Sequence, residues 1–161
     1  MQIEMTIKGL MVDPVTSMPI VILRDETGKN VLPIWVGIFE ATAIAPQIEN
    51  TEPPRPMTHD LVKNLITNFN GEVEKVVINS LEESTFYASI HIRTNDTIST
   101  IDSRPSDAIA VALRTKAPIF AEQSVIDQSK NTDLKPKAGE SDRLEQWLED
   151  LDEDSLGKYK M

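Results

Sequence analysis

The chain has 161 residues, an apolar fraction of 40%, no cysteine and a formal net charge of −10. This length and composition suit one domain with a core of Ile, Val, Leu and Ala, because aromatic residues supply only 5%. They exclude disulfides, cysteine-ligated zinc, iron–sulfur clusters and a thiol nucleophile, and the acidic balance runs against a broadly basic nucleic-acid-binding surface.

The first segment, residues 2–12, alternates Ile3, Met5 and Ile7 with Glu4, Thr6 and Lys8 and predicts a half-buried strand that Asp13-Pro14 ends. Residues 19–25 and 31–36 predict a hairpin around a turn at 26–30 that contains Gly28. Pro33 has no N–H for a ladder, so the second arm belongs at an edge or a bulge. Gly37 opens a helix over 38–49, with Pro46 as a bend or an end. A proline-rich loop at 50–56 leads to Thr58 as N-cap and a helix over about 59–69, its apolar face being Leu61, Leu65 and Ile66. Strands are predicted again at 72–80, 85–94 and 97–102, with a turn at Asn95-Asp96. Ser103 is the expected N-cap of a helix that has Pro105 in its first turn and runs to about Lys116. Pro118-Ile119-Phe120 then leads into a short helix over about 121–128.

From residue 131 the chain becomes a polar linker and then, over 142–152, an acidic amphipathic helix with Leu144, Trp147, Leu148 and Leu151 on one stripe. Its polar face is acidic, which argues against a membrane surface. The N-terminus has no signal-peptide pattern and no run of about 18 apolar residues occurs, so no membrane association and a cytoplasmic location are expected.

Laying Ile34–Ala45 over Ile101–Ala112 sets Glu40 opposite Asp107, and the preceding turns set Gly28 opposite Asn95. The fold class is therefore read as α+β: a duplicated β-rich unit, residues 1–70 and 71–130, each of strands, a hairpin and then helices, in one domain over 1–130 with an appended helix over 131–161. The alanine-rich helix faces and the amphipathic tail suggest a homo-oligomer, a dimer first.

The segment Asp102-Ser103-Arg104-Pro105-Ser106-Asp107 is the richest in chemistry. Two carboxylates, two hydroxyls and a guanidinium surround a strand-to-helix turn. Ser103, Arg104 and Ser106 suit a phosphate at a helix start, Arg104 in bidentate fashion. Asp102 and Asp107, joined by Glu40 if the repeats converge, suit a hard cation such as Mg2+ or Mn2+. A capping Ser103 and a carboxylate complementing the helix dipole account for the same residues without chemistry. His59, at the next helix start, suits an acid, a base or a ligand, and Arg55 on its stiffened loop suits a phosphate or a carboxylate. His91 alternates with Tyr87, Ser89 and Arg93 and reads as a sheet-surface residue. Nucleotide-binding glycine loops, zinc-protease helices and serine-hydrolase elbows are absent from the sequence, and no organic cofactor is expected.

The stretches Leu32–Ala41, Arg55–Leu61, Ser84–Ala88 and Asp102–Ala110, in that order, resemble the bifunctional nuclease family of bacteria and plants, and Pro118-Ile119-Phe120 fits as well. The resemblance covers roughly residues 3–128. It implies an α+β fold with a duplicated unit, commonly an oligomer, and DNase and RNase activity, hence DNA or RNA as partner. Under it the protein is a metal-dependent phosphodiesterase: His59, Asp102 and Asp107 catalytic, Glu40, Asp102 and Asp107 on the metal, and Arg55, Arg104, Ser103 and Ser106 on the substrate. The alternative is a non-catalytic binding or regulatory domain with a ligand or protein in a cleft between the repeats.

Overall fold

The alternating N-terminal segment forms β1 (Gln2–Val12), which turns back as β2 (Pro19–Arg24) and β3 (Val31–Trp35) in an antiparallel meander. Helices α1 (Ile38–Ile48) and α2 (Thr58–Asn68) follow. A second meander, β4 (Gly71–Glu82), β5 (Thr85–Thr94) and β6 (Thr97–Ser103), leads into α3 (Pro105–Thr115), β7 (Ile119–Glu122) and α4 (Gln123–Asn131). The structure, a computed structural model, describes residues 1–132. The helix expected over 142–152 lies outside the described residues.

The strands make one seven-stranded sheet in the order β3-β2-β1-β7-β4-β5-β6. β7 lies antiparallel to β1 and parallel to β4, so it joins the two meanders. The fold is α+β, as expected. Three strands and two helices occur in the same order in each half, with β7 present in the second half alone. Gly28 and Asn95, matched in the sequence overlay, both have left-handed backbone in their hairpin turns, at φ 75° and 55°.

Alternation decides which side chains meet the helices. Val21, Leu23, Leu32, Ile34, Val76, Ile78, Ala88 and Ile90 are buried in one cluster with Ala41 and Ile44 of α1, Ala108–Ala112 of α3 and Val125 and Ile126 of α4. The alanines bring α3 close to both the sheet and α1. Met11, Ile20 and Ile22 form a smaller cluster with Trp35 on the other side of β1 and β2.

Pro33 falls on an edge strand, where its missing N–H costs no ladder bond. α1 passes Pro46 and ends two residues later, at Ile48. Four local expectations are corrected. Residues 119–122 are a strand, because β1 and β4 offer hydrogen bonds on both sides of them. Ser103 belongs to β6, and the N-cap of α3 is Arg104. Thr58 is the first residue of α2, whose cap is Met57. Leu61 and Leu65 of α2 are exposed, and its inward side carries Val62 and Ile66.

The two-residue turn between β4 and β5 has both residues left-handed, Glu83 at φ 47° and Ser84 at φ 64°. Asn-Gly is the pair that such a turn favours, and left-handed backbone costs other residues about 1–2 kcal/mol. Replacing Glu83 and Ser84 together (Glu83→Asn, Ser84→Gly) should therefore stabilise the domain by about 1 kcal/mol, read as a higher urea midpoint at unchanged slope.

Candidate functional site

Three helix starts converge at one end of the sheet. Glu40 sits in the first turn of α1, His59 in that of α2 and Asp107 in that of α3. α1 follows β3 and α3 follows β6, the two opposite edges of the sheet. Residues beside both edges line one cavity of 720 Å³, including Trp35, Gly37, Ser84, Arg104 and Ser106, so the sheet curves enough to bring its edges together there.

Arg104 ties the halves together. Its Nη1 donates to Glu40 Oε1 at 2.9 Å, its Nε to Asp107 Oδ2 at 2.8 Å and its Nη2 to Asp107 Oδ1 at 3.2 Å. His59 Nε2 lies 2.8 Å from the same Asp107 Oδ1. A guanidinium carries five N–H donors, so two of those on Arg104 remain beyond these bonds. Its side chain is 63% exposed, and it borders a second cleft of 430 Å³ lined by Phe39, His59, Val62, Asp107 and Val111. Burial alone would raise the Asp107 carboxyl pKa, but hydrogen bonds from Arg104 and His59 outweigh it and hold the group below the ordinary carboxylate value. The bonds to Asp107 and Glu40 raise the Arg104 guanidinium further, so it stays charged.

Gly37 makes room for this arrangement. A Cβ there would meet Glu40 Oε2 at 1.9 Å, although its backbone suits any residue at φ −71°. Gly37→Ala should therefore displace the Glu40 carboxylate and release Arg104 on one side. Arg104 is well exposed and Glu40 partly so, so the stability loss should stay below about 1 kcal/mol in urea denaturation, with Glu40→Ala giving the same value.

A buried clamp holds the start of α2. Arg114, with 2% of its side chain exposed, donates from Nε to Asp60 Oδ1 at 2.9 Å and from Nη1 to the carbonyls of Ala43 at 2.7 Å and Ala110 at 3.0 Å. Asp60 Oδ2 accepts the Met57 N–H at 2.8 Å. One arginine of α3 thus binds α1 and α2, and fixes the turn that carries His59. The sequence reading missed both residues; the available signal was a single cation ending the apolar run Ala108–Leu113.

Four of the expected residues come together: Glu40, His59, Arg104 and Asp107. Ser106 is buried on the larger cavity beside Arg104. Ser103 has its Oγ buried without a hydrogen-bond partner. Asp102 is not with them. It pairs with Ser89 across β6 and β5, whereas Ile90, the next residue along β5, lines the cleft, so Asp102 points to the other side of the sheet. Arg55 is exposed on the loop before α2 and lines neither cleft. His91 lies on the far face, where its Nε2 is 3.2 Å from Ser89 Oγ, and burial followed by the nearby Lys75 lowers its pKa.

The model of the bifunctional nuclease domain matches residues 21–133, which include all four clustered side chains. The chain belongs to the bifunctional nuclease domain family. It is 36% identical to an uncharacterised protein of Mycobacterium tuberculosis over 98% of both chains. It is 33% identical to Bifunctional nuclease 2 of Oryza sativa subsp. japonica over 66% of this chain and 34% of that one. Bifunctional nuclease 2 of Arabidopsis thaliana is 29% identical over 62% of this chain and 31% of its own length. The chain spans about a third of the length of these plant relatives.

The three carboxylates expected to hold Mg2+ or Mn2+ do not fit that role together. Asp102 faces away, and the place between Glu40 and Asp107 is taken by the guanidinium of Arg104. Among the described residues no three His, Asp or Glu side chains are grouped so as to hold a metal ion.

Proposed function

We propose that this bifunctional nuclease domain hydrolyses phosphodiester bonds of DNA or RNA in the cleft beside His59, Asp107 and Arg104. The observation that carries the reading is an imidazole oriented by a carboxylate next to an exposed guanidinium with donors to spare. With Nε2–H donated to Asp107, His59 keeps the lone pair of Nδ1 and acts as a general base toward water. The water oxygen attacks phosphorus, its proton passes to Nδ1, and the P–O ester bond breaks, the departing sugar oxygen taking a proton from solvent water while His59 later returns its own to solvent. The remaining N–H groups of Arg104 hold the phosphate and balance the charge that builds on it. The names of the plant relatives support the same reading.

The second reading is a non-catalytic ligand-binding domain. It is favoured by the charge balance inside the cluster, where Arg104 is already met by two carboxylates. One assay separates the two. Purified protein and its His59→Ala variant are incubated with single-stranded DNA, duplex DNA and RNA, each with Mg2+, with Mn2+ and with chelator. Loss of the base should lower cleavage by about 10²–10⁴-fold. Equal cleavage by the variant would remove His59 from the mechanism, and no cleavage of any substrate by the parent protein would leave the binding reading. The chelator arm tests the metal dependence expected from the family resemblance.

A further inference from the structure

Phe39 is 86% exposed and its neighbour Ile38 is 60% exposed, both in the first turn of α1. The buried residues of that helix are Ala41, Ala43 and Ile44, so nothing in the core needs a ring at position 39. Single exposed apolar residues are ordinary. The location of this one sets it apart. Phe39 lines the smaller cleft together with His59, Arg104 and Asp107, over an apolar floor that includes Val62, Ile90 and Val111. An aromatic ring, a guanidinium and an apolar floor in one cleft match the parts of a nucleotide: a base with a π face, and a phosphate next to it.

Charge sharpens the argument. The chain carries a net charge of −10, and Arg104 is the one lysine or arginine among the residues lining this cleft. Counterion release from phosphates therefore contributes little to binding here. Base stacking on an aromatic ring needs no net charge and contributes about 1–3 kcal/mol per base. A duplex keeps its bases stacked inside and offers the ring no free face, whereas a single strand does.

We propose that Phe39 stacks on an unpaired base of a single-stranded nucleic acid whose adjacent phosphate is held by Arg104, so that the cleft selects single strands over duplex. The inference rests on the nuclease reading of the same cleft and adds its substrate class and a specificity-determining residue.

The test measures binding by fluorescence anisotropy, with a labelled short thymidine oligomer carrying nuclease-resistant phosphorothioate linkages, alone and paired with its complement. Wild-type protein is compared with Phe39→Ala, Phe39→Leu and Phe39→Trp. Phe39→Ala should weaken single-strand binding by about 5–150-fold, the stacking energy of one base, and leave duplex binding unchanged. Phe39→Leu should lose most of the affinity although it stays apolar, and Phe39→Trp should keep it. Raising salt should weaken wild-type binding with a slope near that of one phosphate contact, about −0.7 in log–log form. Equal single-strand affinity in wild type and Phe39→Ala would overturn the stacking role while cleavage by wild type upheld the nuclease reading. Absence of both binding and cleavage in wild type would overturn the two together. Sedimentation of each variant closes the remaining route: a change of oligomeric state in Phe39→Ala would place the ring against a second copy of the chain and overturn the proposal.

Discussion

Asp60→Ala should destabilise the domain by about 3–5 kcal/mol, the cost of leaving one partner of a buried ion pair without the other. The guanidinium left behind has 2% of its side chain exposed and cannot turn to water. Its Nη2 already lacks a partner, so the remaining protein offers it no substitute carboxylate. Asp60 also accepts the N–H of the cap residue Met57, so the start of α2 loses that bond as well. Arg114→Met should cost less than Asp60→Ala. It removes the buried charge itself, keeps much of the apolar volume, and leaves a carboxylate that is 22% exposed and partly reached by water. The double variant should lie well above the sum of the two in stability, because the pair acts as a unit. Urea denaturation of the four proteins gives the coupling energy, and additive losses would remove the clamp from the account. Acid adds a second readout. Burial raises the Asp60 carboxyl, but the Met57 N–H and Arg114 outweigh it and hold it below its ordinary value. A carboxyl depressed in the folded state stabilises the fold at pH above its unfolded value, about 3.9. That stabilisation is lost as the pH falls through the lower, folded value. Wild type should therefore show a loss of stability in acid that is shallower in Asp60→Ala.

Asp107→Asn should lower kcat of the proposed phosphodiester hydrolysis by about 10²–10⁴-fold while leaving the domain folded. The carboxylate accepts from His59 Nε2 and from Nε and Nη2 of Arg104. The amide has the same size but a single acceptor oxygen. With that oxygen toward Arg104, the amide N–H faces His59 and forces the other tautomer, whose Nδ1 carries the proton and no longer acts as a base. With it toward His59, the amide N–H meets the guanidinium donors and pushes Arg104 out of place. Either arrangement damages the step at the reacting phosphate more than it damages binding, so KM should change less than kcat. A variant with kcat within about twofold of wild type would show that the imidazole does not depend on this carboxylate. Asp107 lies in a partly exposed cluster, so the associated loss of stability should be small. The depressed Asp107 carboxyl stays ionised through the neutral range, and its protonation should reduce activity only below about pH 4.

Much of this molecule is legible in the sequence because its causes are local. Alternation of apolar and polar residues placed β1 and β5, a short apolar run before a turn placed β2, and Gly28 and Asn95 marked turns that need left-handed backbone. Pro105 and the alanine run behind it placed α3, and the overlay of Glu40 on Asp107 pointed to two carboxylates in matching first turns. Tertiary structure decided the rest. β7 has only four residues and is a strand because β1 and β4 supply its partners from distant parts of the chain. Asp102 and Asp107 lie close in sequence yet apart in space, since strand register turns one to the far face and the helix turns the other into the cleft. What the sequence determined about Glu40 and Asp107 is that both begin helices. That Arg104 spans them, and that Arg114 holds His59 nearby through Asp60, follows from packing α1, α2 and α3 on one sheet, where Arg104 reaches Glu40 of α1 and Asp107 of α3, and Arg114 reaches Asp60 of α2 and the Ala43 carbonyl of α1.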